Sequence, residues 1–106
     1  MTVRFPFHDE VRLHQDDGST AVVLVTEMVV DDTQVTLWVR ARGQLLAELG
    51  IRGSQDLPAG ELEVQLEPGE GVEVPRNAAA MRRALRRGGP ITAANRWRIL
   101  ATRPVA

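Results

Sequence analysis

Six arginines near the end of the chain are spaced to act together: Arg82, Arg83, Arg86, Arg87, Arg96 and Arg98. A guanidinium stays charged at any physiological pH, and its planar fork of donors fits carboxylate and phosphate oxygens. On a helix turning about 100° per residue, Arg82, Arg83, Arg86 and Arg87 gather on one side, and Ala78, Met81, Ala84 and Leu85 on the other. The basic side lies close to the helix C-terminus, where the dipole favours cations. Arg96 and Arg98 share a face if their segment is extended, and would widen the patch. The pattern predicts a contact surface for an anionic partner, either an acidic protein surface or nucleic acid. The alternatives are a solvated face, or one that neutralises acidic strands of the same chain or of a second subunit in a homo-oligomer.

Other residue types with chemical potential are placed less favourably. His8, Asp9, Glu10 and His14 resemble a ligand cluster. On an extended strand, however, His8 and His14 stand roughly 20 Å apart. Arg12 between them repels a cation, so no metal site is expected. Glu61, Glu63 and Glu67 fall on one strand face, where a carboxylate pair could do acid–base work; they read instead as the exposed side of that strand. Ser19 and Ser54 sit in turns or loops, and no phosphate loop, nucleophile elbow or zincin spacing is present. The chain has no cysteine, which excludes disulfides, thiolate nucleophiles and cysteine-bound metals. No catalytic residue and no cofactor are assigned, and binding is favoured over catalysis. The rival from another class is a small enzyme or ligand-binding protein with a pocket in its sheet, using His8 or His14.

The elements that must carry these residues are mostly strands. Val11–Gln15 alternates apolar and polar, and Asp17-Gly18 is a hairpin turn pair. Residues 21–25 are apolar on both faces and predict a central strand covered on two sides. Asp31-Asp32 breaks the pattern. Val35, Leu37, Val39 and Ala41 then alternate with Thr36, Trp38 and Arg40. Gly43 marks a bend or bulge. Leu45, Leu46 and Leu49 fit a short helix with Gly50 at its C′ position. Residues 53–60 form a loop by composition. Leu62, Val64 and Leu66 line one face of a strand, and Pro68-Gly69 fits a type II turn that brings Val72-Glu73-Val74 back beside it. Asn77 is an N-cap for a helix over 78–87, Gly88 its C′ residue, and Pro90 blocks continuation. Residues 95–101 form a closing strand with Trp97, Ile99 and Ala101 inward, or else a second helix capped by Thr92; the strand is preferred. A helix–turn–helix across Ala78–Thr102 is disfavoured, because Gly88-Gly89-Pro90 breaks the chain harder than that motif needs.

The totals describe an ordinary globular chain. Its 106 residues fit one domain, with 43% hydrophobic and 25% charged residues. All thirteen basic residues are arginine, the mark of a GC-rich coding sequence. The net charge of −1 hides a divided chain. Residues 1–75 hold all fourteen acids and five arginines, for −9; residues 76–106 hold eight arginines and no acid, for +8. Such asymmetry points to an anionic partner for the basic part. Only four aromatics are present, Phe5, Phe7, Trp38 and Trp97, few for stacking single-stranded bases. The first residues lack the apolar core of a secretory signal, and no run is long enough to span a membrane, so a cytoplasmic protein is expected.

Two stretches carry a family resemblance. Val35-Thr36-Leu37-Trp38-Val39-Arg40-Ala41-Arg42 followed by Leu45-Leu46-Ala47-Glu48 resembles the strand-to-helix passage of the SsgA-like proteins, actinobacterial regulators of sporulation and cell division. Glu67-Pro68-Gly69-Glu70-Gly71, Val74-Pro75 and the Ala-rich helix to Arg87 are similar to that family's strand–Pro–helix passage. Together they cover about half the chain. The resemblance implies a non-enzymatic protein that recruits division machinery through protein contacts. The residues themselves predict an α+β domain: a small curled antiparallel β-sheet of five or six strands with one C-terminal helix packed on it.

Overall fold

The computed structural model describes residues 1–14, 18–89, 91 and 93–105, with the side chain of His14 excepted. Asp17 of the predicted hairpin turn, Pro90, and Thr92 as an alternative helix cap lie outside the described residues. The architecture is α+β. Five strands run in sequence order across one open antiparallel sheet: β1 (Val3–His14), β2 (Thr20–Val30), β3 (Val35–Arg42), β4 (Glu61–Pro68) and β5 (Trp97–Arg103). Helix α1 (Gly43–Glu48) interrupts the β3–β4 connection, and α2 (Ala78–Arg86) the β4–β5 connection.

Alternation sorts the side chains. Leu37, Val39 and Ala41 on β3 stand opposite Leu66, Val64 and Leu62 on β4, and all six are buried. Phe7, Val11, Leu13, Val23, Val25 and Met28 extend the same core cluster across β1 and β2. Leu46 and Leu49 join it at α1, Met81 and Leu85 at α2, and Trp97 at the start of β5. The core thus draws on every element, and Met81 and Leu85 are the apolar stripe read from the helical spacing. Asn77 caps α2, its side-chain oxygen accepting from the amides of Ala79 at 2.9 Å and Ala80 at 3.1 Å. Gly88 follows with φ of +83°, a conformation in which a Cβ would clash.

Edge strand β1 contains Pro6, which has no amide hydrogen to give and so belongs at an edge. Its register with β2 shifts between Pro6 and Asp9. Proline and a bulge together blunt an edge against further pairing.

Several expectations are corrected. The run over 21–25 lies within β2 but is not covered on both faces, since Val22 is 47% exposed; its outward side meets solvent beyond the reach of the helices. Val72–Val74 does not pair back on β4. That side of β4 is taken by β5, with Leu66 opposite Ile99 and Pro68 opposite Trp97. Gly69 is not the positive-φ residue of the turn; Gly71 is, at +83°. Gly69 is required for space, because a Cβ there would fall 2.1 Å from the Arg96 carbonyl oxygen. The closing segment is a strand, which removes both the second-helix and the helix–turn–helix readings. Its register shifts between Gln65 and Leu66. The shift turns Ala101 outward opposite Gln65, so Trp97 and Ile99 face the core and Ala101 does not. Arg96 precedes the strand, in a short 3-10 turn over Ala94–Arg96.

Candidate binding surface

Folding spends half of the C-terminal arginines on acids or carbonyls of the N-terminal part. A terminal nitrogen of Arg76 donates to the Asp31 carbonyl oxygen. Arg82 lies with its Nε 3.9 Å from an Asp9 carboxylate oxygen and donates to the Pro6 carbonyl at 3.2 Å. Its guanidinium carbon also sits 4.4 Å from the centroid of the Phe7 ring. Arg82 is about 60° around the helix from Leu85. It flanks the buried stripe, so its stem runs along the core margin while its head reaches β1. Arg98 pairs through Nε with Glu67. Arg103 pairs with Glu63, Nε to Oε2 at 3.2 Å.

The last two pairs lie on the face of the sheet away from the core cluster, where sequence placed an exposed row of glutamates. Glu61 is exposed as expected, but Glu63 and Glu67 are each only 6% exposed. Arg103 covers Glu63 and stacks 3.8 Å from the Trp38 ring centroid. Thr26 donates its hydroxyl hydrogen to Glu63 at 2.9 Å. Burial alone would raise the Glu63 pKa, but the hydrogen bonds from Arg103 and Thr26, with the charges of Arg103 and Arg40, outweigh it and hold it below its ordinary value. The bulge in β5 makes this possible by bringing Arg103 to the Glu63 side. Glu67 also accepts from Gln34 at 3.3 Å, and Gln65 donates to Thr36 at 2.8 Å. These carboxylates are spent on internal pairs, an arrangement unlike an acid–base pair open to substrate.

Four arginines remain open. Arg83, Arg86 and Arg87 on α2 and its cap, and Arg96 before β5, are exposed and make no ion pair among the described residues. The six arginines singled out by spacing therefore divide. Arg83, Arg86 and Arg87 form an open group on the helix, with Arg82 leaning away onto β1. Arg96 and Arg98 line a separate cleft of about 250 Å³ with Arg52, Pro68, Gly69 and Glu70.

Sequence reading missed Arg52. It lies in a stretch without periodicity, and what places it is a backbone event: its amide donates to the Trp97 carbonyl at 3.0 Å, and its carbonyl accepts from the Ile99 amide at 2.9 Å.

His8 is exposed on β1. A small apolar pocket at the core has room for about 10 Å³ and is lined by Leu13, Val23, Val39, Leu46, Trp97 and neighbours, which is one water at most. Among the described residues no histidine or carboxylate lines it. A shallow groove of about 340 Å³ runs over Val22, Leu24, Arg40, Arg42 and Glu61. Among the described residues no group of three or more His, Asp or Glu could hold a metal ion, and no helix is long and apolar enough to cross a membrane.

The chain matches no known protein family, no curated protein and no solved structure.

Proposed function

We propose that the chain is a non-catalytic binding or regulatory domain that contacts an anionic partner through open arginines of its C-terminal part. The observation that carries this reading is the remainder after folding. Arg76, Arg82, Arg98 and Arg103 meet acids or carbonyls of residues 1–75, while Arg83, Arg86, Arg87 and Arg96 are left exposed without an ion pair among the described residues. Arg83 repels Arg86 and Arg87, three and four positions on, by about a few tenths of a kcal/mol each, a cost that an anion would relieve. The resemblance to the SsgA-like regulators points the same way, toward contact with another molecule.

The test is fluorescence anisotropy with labelled poly-L-glutamate and a labelled single-stranded oligonucleotide, using wild type and the R83Q/R86Q/R87Q variant. Wild type should bind at least one of the two, with affinity falling steeply as salt rises. The variant should bind weakly and lose most of that salt dependence. Equal binding by both proteins, or none by wild type at low salt, contradicts the reading.

A further inference from the structure

We infer that the outer edge of β5, together with the cleft formed by Arg52, Arg96 and Arg98, receives an extended acidic peptide of a partner protein. This rests on the reading of an anion-contacting domain and narrows it to one surface and one kind of partner.

The first observation concerns the backbone. β5 is the last strand of the sheet and pairs on one side with β4. On its other side a single residue, Arg52, bridges to it in parallel, bonding Trp97 and Ile99. Gly53 then takes φ of +90° and turns the chain away. Beyond Ile99 the outer side of β5 has no backbone partner among the described residues. An edge with free amides and carbonyls is what a peptide adds to in strand-addition recognition. Each edge strand carries a bulge, β1 between Pro6 and Asp9 and β5 between Ile99 and Ala101, but only β1 adds a proline, which removes an amide from the edge. Leu100, at the irregularity of β5, is 49% exposed and gives an added strand an apolar contact.

The second observation concerns charge. The cleft beside Arg52 is lined by three guanidiniums and the single carboxylate of Glu70. Arg98 is oriented by Glu67, which takes its Nε and leaves both terminal nitrogens without a partner among the described residues. Arg52 and Arg96 are exposed and make no ion pair among the described residues. With Glu67 and Glu70 counted against the three arginines, the cleft carries one surplus positive charge, which matches one carboxylate. The Arg96 carbonyl pressed against Gly69 fixes the wall between the turn and the strand. A nucleic acid strand is less suited to this site. Trp38, Trp97 and Phe7 are buried, so stacking platforms for bases are wanting. A peptide with a Glu or Asp at the position abutting Arg52 would place its carboxylate in the cleft, while its backbone continues along Leu100–Arg103.

The experiment uses the whole chain, labelled with ¹⁵N, and the peptide acetyl-(Glu-Val)₄-amide. The matching Lys-Val peptide and a single-stranded oligonucleotide serve as comparisons. The Glu-Val peptide should bind saturably, shift the amides of Arg52 and residues 96–103, and slow hydrogen exchange at the β5 edge. An R52Q/R96Q variant with unchanged amide shifts elsewhere should bind it about tenfold more weakly, about 1.4 kcal/mol. Shifts confined to the α2 arginines, with β5 unmoved, would overturn the edge and leave the broader reading standing. Binding of the Lys-Val peptide as tightly as the Glu-Val peptide would also overturn it. Preference for the oligonucleotide at residues 96–103 would replace a peptide by nucleic acid. Absence of binding by any of the three probes would remove both this inference and the broader one.

Discussion

Glu63 shows how one residue can belong to a different class from its neighbours. It shares a strand face with Glu61, and nothing in the spacing separates them. What distinguishes it is Arg103, forty positions away, which a bulge brings to its side. Its lowered pKa has a definite consequence for acid stability. A carboxylate held below its ordinary value stabilises the fold fully above that value, here 4.5, and loses the contribution as pH falls through the folded value. Asp31 acts in the same direction, through amides of Gln34 and Thr33, the Thr33 hydroxyl and the charge of Arg76. Urea midpoints measured from pH 6 down to pH 3 should therefore fall for wild type and fall less steeply for Glu63→Gln. Parallel curves would show that Glu63 is not held as described. Arg103→Met keeps much of the contact with Trp38 but removes the ion-pair partner of Glu63, leaving it the Thr26 hydroxyl and the charge of Arg40. It should cost about 1–2 kcal/mol at neutral pH, through loss of hydrogen bonds to a mostly buried charged acceptor.

At the scale of elements, much of the fold is legible in the sequence, because period and punctuation agree. Strand β3 and strand β4 alternate cleanly, and α2 has its cap, stripe and terminal glycine in order. Leu85 is 1% exposed and Met81 is fully buried, so Leu85→Ala should cost about 2–5 kcal/mol. An unchanged urea midpoint would mean that the stripe faces the wrong way. Asn77→Ala should cost about 1 kcal/mol through loss of the cap, read in the same titration. The parts that were not legible share one cause: their placement depends on backbone contacts between distant segments. Val72–Val74 has strand composition, yet β5 occupies the position it would take. Arg52 has no local signal and is placed by bonds to Trp97 and Ile99. Gly69 looks like a turn glycine by its neighbour Pro68, whereas its need is for space against Arg96. Gly69→Ala should accordingly destabilise more than Gly60→Ala, where nothing lies within 4 Å of the added carbon. Equal loss at both positions would show that close approach is not the reason for Gly69.

Across the whole molecule, the chain's division into a part of charge −9 and a part of charge +8 is resolved only in part by folding, which brings Arg82, Arg98 and Arg103 to Asp9, Glu67 and Glu63. Charge asymmetry in sequence is therefore not by itself a partner signal; the signal is what remains after pairing. The C-terminal arginines thus divide: Arg76, Arg82, Arg98 and Arg103 hold the fold, and Arg83, Arg86, Arg87 and Arg96 remain open for the proposed contact. The most direct test is the urea-unfolding midpoint, at neutral pH and low salt, of two four-fold variants. R76Q/R82Q/R98Q/R103Q should lose about 2–5 kcal/mol, since Glu63 and Glu67 lose their ion-pair partners while mostly buried. R83Q/R86Q/R87Q/R96Q should stay within about 1 kcal/mol of the wild-type midpoint, because relief of like-charge repulsion offsets the lost interaction of the last-turn arginines with the helix dipole. Midpoints that fall by the same amount in both variants would contradict the division and, with it, the assignment of the open arginines to a partner.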